Sequence, residues 1–182
     1  MNLVAKRGWR SLADGGIESV SLWRSDRTYR LEGMAIRFAE GLWRLDYRVL
    51  LDDEWFTREV AVRWSHAGDS GKVDLARDSA GGWSRDSASD DSLSGCTDVD
   101  FGFSPVTNLM PVRRLAGDEG ASVEVHAAWL VFPDLEIRPA RQTYTRKSAS
   151  TVLYQSASGF SSEISVDEFG FVVDYPGLWS GG

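Results

Sequence analysis

Apolar and polar residues alternate with a period of two along much of the chain, the spacing that turns one face of a strand to a core and the other to water. From Leu42 to Leu51, Trp43, Leu45, Tyr47, Val49 and Leu51 share one face, while Arg44, Asp46 and Arg48 share the other with Leu42 and Leu50. Phe56 to Ser65 repeats the pattern with Phe56, Val60, Val62 and Trp64 on one side, and the short Asp52-Asp53-Glu54-Trp55 connection fits a hairpin loop. Upstream, Ile17 to Arg24 and Tyr29 to Phe38 read as two strands split by Ser25-Asp26-Arg27, and Glu40-Gly41 supplies the next turn. Downstream, strand-like runs occupy Val123 to Phe132, Leu135 to Lys147, Thr151 to Ser156, Glu163 to Val166 and Gly170 to Asp174. A meander of hairpins is the simplest architecture, with no internal repeat, and the tail Ser180-Gly181-Gly182 is expected to be mobile.

Two segments depart from alternation. Asp78 to Gly95 is rich in Ser, Asp and Gly and reads as loop with one short strand near Trp83, either a lid or a solvated connection. In Thr107 to Leu115 the Asn108 side chain is placed to cap a helix reaching about Ala116. Pro111 then falls in the first turn, where its missing N–H costs little, and Arg113 and Arg114 fall near the C-terminal end, where cations are favoured. Leu109, Val112 and Leu115 form the expected buried stripe.

Length and composition narrow the picture. The 182 residues suit one domain spanning 1–182. Eight Trp, eight Phe and five Tyr against three Met favour strands. A formal net charge of −7 argues against a nucleic-acid partner, because that recognition begins with basic residues on phosphates. One cysteine, Cys96, rules out an intrachain disulfide. The N-terminus has no apolar run of signal-peptide length and no segment approaches a membrane span, so a cytoplasmic location is expected.

The densest chemistry lies in Gly95 to Pro105. In an extended backbone Val99, Phe101 and Phe103 point one way and Asp98, Asp100 and Gly102 the other. Two carboxylates on one face need a compensating partner, and Arg113 and Arg114 follow closely enough for a turn and helix to return them. That arrangement serves either as a charge-balanced polar site beside an apolar wall or as a structural ion-pair network holding the helix. Paired carboxylates also support glycoside hydrolysis, which needs a separation that sequence does not supply. His66, His126 and Cys96 stand apart, without metal-ligand spacing, and neither a serine-nucleophile framework nor a dinucleotide fingerprint is present, so no metal or cofactor is expected. Trp43, Tyr47, Trp64, Trp83 and Trp129 either fill the core or line an apolar trough.

The run Gly95-Cys96-Thr97-Asp98-Val99-Asp100, Ser104-Pro105-Val106-Thr107-Asn108-Leu109 and Pro111-Val112-Arg113-Arg114-Leu115 resembles the signature of the bacterial putative glycolipid-binding family. Tyr47-Arg48-Val49 with Trp55-Phe56-Thr57-Arg58, Gly82-Trp83, and Val166 to Gly170 running on to Asp174 to Leu178 are similar to it too. Residues 84–93 show no match. The resemblance implies a mainly β fold, a curved antiparallel sheet forming an open or half barrel around one short helix, remotely like bacterial lipoprotein carriers. It also implies a homodimer and an acidic pocket, with Asp98, Asp100 and Arg113 carried over as binding positions.

The resulting expectation is non-catalytic binding of an amphipathic ligand, a glycolipid. Asp98, Asp100, Arg113, Arg114 and Asn108 form its head-group end, and Trp43, Tyr47 and Trp83 its apolar wall. A carbohydrate-active or lipid-head-group hydrolase is the alternative, and a purely structural interaction protein, with a filled interior and no pocket, is a third.

Overall fold

A computed structural model describes residues 1–182. The N-terminal half is an antiparallel meander: β1 (Asn2–Ser11), β2 (Ile17–Arg24), β3 (Thr28–Arg37), β4 (Trp43–Asp52), β5 (Thr57–His66), β6 (Asp69–Arg77), β7 (Trp83–Arg85) and β8 (Ala88–Ser89). A 3-10 turn at Asp91–Leu93 leads to β9 (Asp98–Phe101), and a second at Val106–Asn108 runs into α1 (Leu109–Arg114). The second meander comprises β10 (Ser122–Leu130), β11 (Ile137–Arg146), β12 (Thr151–Ser156), β13 (Ser161–Val166), β14 (Val172–Tyr175) and β15 (Trp179–Gly181).

Pairing of β15 with β1 joins the halves into one fifteen-stranded sheet whose two edges are β8 and β9. Every ladder is antiparallel except that of β9 on β10. The sheet is curved but does not close into a barrel. The β9 edge is fastened to the start of β5, where Thr57 N–H donates to Thr97 O (3.2 Å) and Val99 N–H donates to Thr57 Oγ1 (3.0 Å).

The alternation does its work where the sequence placed it. Trp43, Leu45, Tyr47, Val49 and Leu51 are all buried, as are Val60 and Val62 opposite them. Fully burying a large apolar side chain contributes about 1.5–3 kcal/mol, so these faces fix the register of the sheet. Across the interior Tyr47 packs edge-on against Phe101 (5.3 Å), which stacks on Phe103 (4.7 Å).

Val106 to Val112 are buried without exception, so the sheet wraps the helical segment. Two expectations are corrected here. Asn108 does not cap the helix: the 3-10 turn already winds upstream of it, its backbone is helical, and Ser104 Oγ accepts from Val106 N–H instead (3.0 Å). The tail is not free, because Trp179 is buried and Gly181 pairs with Trp9 in the β1–β15 ladder. The strands β1 and β6 carry no sustained alternation and were not expected from sequence. No helix is long and apolar enough to cross a membrane.

Candidate functional site

The alternation predicted for the central motif is present on β9. Val99 and Phe101 enter the core, and Asp98 and Asp100 share the other face. The two carboxylates then meet different fates.

Asp98 is almost fully buried and is held by Arg114, whose Nη1 and Nη2 donate to Oδ1 and Oδ2 at 2.8 Å each. Arg114 Nη1 also donates to Trp55 O (2.8 Å), and Thr97 Oγ1 donates to Asp98 Oδ2 (2.7 Å). Burial pushes the Asp98 carboxyl above its ordinary range, opposed by the guanidinium.

Asp100 is partly exposed and accepts from Thr107 Oγ1 (2.9 Å) at one oxygen and from Gln142 Nε2 (2.7 Å) at the other. Burial raises its pKa, these hydrogen bonds oppose the rise, and the neighbouring Asp98 adds to it. Tyr144 OH, with one proton to give, lies within donating reach of Asn108 Oδ1 (3.0 Å) and Gln142 Oε1 (3.3 Å), the shorter contact being to Asn108.

Asp100 lines a cleft of about 740 Å³, within the range typical of small-molecule sites. The cleft forms where the β11–β12 ladder ends at the pair Gln142↔Ser156 with one further bond, Ala157 N–H to Arg141 O (2.9 Å), so that β11 before Arg141 is laddered to β10 alone. Pro139, in that free stretch, has no N–H to offer a further strand. Asp100 and Gln142 line the cleft together with Trp129, Tyr154 and Phe160, and so do Arg138, Arg141 and His126. Ser92 and Ser94, from the loop after β8, complete one side, so the Ser-rich connection that sequence left open as lid or linker touches the site.

The other predicted positions lie elsewhere. Trp43 is buried against His66 (4.1 Å) and Phe132 (5.5 Å), with its Nε1 donating to Ala39 O. Tyr47 OH donates to the buried Glu18, and Trp83 Nε1 donates to Cys96 O (2.9 Å). None of the three lines the cleft. Arg113 is exposed, with its guanidinium 5.0 Å above the Trp55 ring, and does not touch the acid pair.

Of the residues singled out from sequence, the cleft therefore takes Asp100, Trp129, His126 and Cys96, while Asp98 lies beside it on the same strand, paired with Arg114 of the helix, and Asn108 stands behind Tyr144. Asp100 is its single acidic residue, so paired-carboxylate hydrolysis finds no second carboxyl across the opening. Cys96 also lines it, but burial pushes its thiol up to about 11, away from thiolate chemistry. No cluster of three or more His, Cys, Asp or Glu side chains is placed to hold a metal ion. Trp129 was among the aromatics that sequence offered for a core or a trough, whereas Gln142 gave no signal beyond being an amide on an expected strand.

Comparison with known proteins bears on this geometry. The family model described as putative glycolipid-binding matches residues 6–181. A crystal structure of a DUF1089 family protein from Pseudomonas aeruginosa is similar over 91% of each chain, with a TM-score of 0.78 and 35% sequence identity. No curated protein matches.

Proposed function

The chain belongs to the putative glycolipid-binding family, and from that premise we propose that it binds an amphipathic glycolipid, without transforming it, by seating the sugar head group in the cleft at Asp100. The observation that carries this reading is the makeup of the cleft: a hydrogen-bonded carboxylate and amide, Asp100 and Gln142, beside the rings of Trp129, Tyr154 and Phe160. Sugars present hydroxyls around their edge and apolar C–H faces, so they suit an oriented acceptor next to a flat aromatic surface. A sugar hydroxyl hydrogen-bonded to a remaining lone pair of the Asp100 carboxyl contributes about 0.5–1.5 kcal/mol.

In this reading Asp100 is the acidic group of the pocket, and Asp98 with Arg114 fixes the strand that presents it. Phe160 is 44% exposed, which leaves an apolar lip for the acyl part. A purely structural interaction protein gives no reason for a cleft of this size. Homodimer formation and a cytoplasmic location belong to the same proposal. The first rests on the family resemblance, the second on the single cysteine, Cys96.

The test is mass spectrometry of lipid extracts recovered with the purified protein, followed by titration of the recovered lipid against intrinsic Trp fluorescence. Asp100→Asn and Gln142→Ala are expected to weaken binding about tenfold or more with the fold retained. Unchanged affinity in both variants removes the head group from this cleft.

A further inference from the structure

We infer that the head group taken by this cleft carries an oxyanion, a uronate, sulfate or phosphate attached to the sugar. The inference rests on the glycolipid reading of the cleft and adds the charge class of its ligand.

The chain as a whole is acidic, with 27 Asp and Glu against 20 Lys and Arg. The cleft reverses that balance, because its charged lining is Asp100 against Arg138 and Arg141. A concave site lined by one sign of charge concentrates ligands of the other.

The pairing of these groups sharpens the point. Both oxygens of Asp100 already accept hydrogen bonds from protein, and burial moves its carboxyl towards the neutral form. Arg138 rests on Glu136, in a pair more than half exposed on both sides, which a ligand can exchange at little cost. Arg141 is exposed and has no side-chain hydrogen bond or salt bridge, unlike Arg7, Arg37, Arg58, Arg63 and Arg114, which all hold carboxylates. Trp129 Nε1 and the Tyr154 hydroxyl also lack protein partners.

The groups left open in the cleft are thus mainly donors, and the strongest acceptor is already engaged. A guanidinium presents paired N–H groups that match two oxygens of a carboxylate, sulfate or phosphate. The ligand that satisfies this lining is rich in acceptors and negatively charged near Arg141, with its neutral ring against Trp129 and Tyr154.

The full chain is titrated with phosphatidylcholine vesicles doped with glucuronosyl diacylglycerol, with glucosyl diacylglycerol, or with phosphatidylglycerol, following Trp fluorescence at low and high salt. The glucuronosyl lipid is expected to bind at least about tenfold more tightly than the glucosyl lipid, with a preference that shrinks in high salt. Arg141→Ala should erase the preference, and Glu136→Gln, which releases Arg138, should widen it. Equal affinity for the two glycolipids, or a preference that survives Arg141→Ala, overturns the oxyanion assignment and leaves the glycolipid reading standing. Phosphatidylglycerol binding as tightly as the glucuronosyl lipid overturns the requirement for a charged sugar. Failure of all three to bind overturns the glycolipid reading and the inference together.

Discussion

Arg114 grips Asp98 with two parallel contacts of 2.8 Å, and Asp98 has almost no surface left to water. Removing one member of such a pair strands the other charge in the interior, which costs about 3–5 kcal/mol. Arg114→Ala is therefore expected to lower stability by that amount in chemical denaturation, more than any substitution at the exposed Arg113. Replacing both partners with apolar residues, Asp98→Leu with Arg114→Met, should recover much of the loss. A double variant as unstable as the single one would show that the carbonyl of Trp55, also held by Arg114, matters more than the pair.

Gly33 sits on β3 between Val20 of β2 and Tyr47 of β4, and the Tyr47 ring lies across it to reach the Glu18 carboxylate. A Cβ at Gly33 would collide with Cζ and the hydroxyl of Tyr47. Gly33→Ala should destabilise by about 1–3 kcal/mol through overpacking and shift the Tyr47 environment in near-ultraviolet circular dichroism. An unchanged melting curve would mean that the ring has room to move.

Burial pushes the Glu18 carboxyl up to about 7, against hydrogen bonds from Ser104 and Tyr47 and the charge of Arg37. The folded state therefore keeps a proton that the unfolded chain releases near 4.5, and folding is favoured by this group at low pH. Its contribution is intact below pH 4.5 and is lost as the pH rises through about 7. Asp98 and Asp100, also raised by burial, act in the same direction. Denaturation at pH 5 and pH 8 should show lower stability at pH 8, and Glu18→Gln should reduce the difference by about 1–3 kcal/mol. An identical pH slope in wild type and variant would remove Glu18 as its source.

Trp129 is half-buried and lines the cleft, whereas Trp9, Trp43, Trp55, Trp83 and Trp179 are buried. Trp129→Phe is expected to abolish most of the fluorescence change on ligand binding. Trp129→Ala should cost about tenfold in affinity, roughly 1–2 kcal/mol, with a small effect on stability. Retention of the full signal in Trp129→Phe would place the ligand elsewhere.

Alternation in β2, β3, β4 and β5 was legible because one face of each strand is dry and the other wet, which is the condition a period of two records. In β1, Lys6-Arg7-Gly8 interrupts the pattern, and the strand is held instead by ladders on both sides with β2 and β15. The acid motif was visible as a motif, but the choice of Arg114 over Arg113 depends on which face of a six-residue helix meets β9. Trp43 and Trp83 looked equally suited to a core or a trough, since aromatic identity does not record which side of the sheet is filled. The cleft stayed hidden because Asp100, Gln142 and Tyr154 meet only once β9 pairs with β10 and β11 with β12. A half-exposed Trp129 is visible only after that pairing.

The strands β8 and β9 are neighbours along the chain, yet they stand at opposite ends of the sheet. Laid flat, fifteen strands would span about 65 Å at the usual interstrand spacing of roughly 4.8 Å. The stretch from Ser89 to Asp98 reaches only about 30 Å when fully extended. A flat sheet with this order is therefore impossible with the chain intact, whatever its side chains prefer. The connection acts as a tether of fixed reach that obliges the sheet to roll until its margins come together. Packing then selects among rolled forms only, and a single cleavage between Asp90 and Thr97 would lift the constraint while leaving every ladder free to persist.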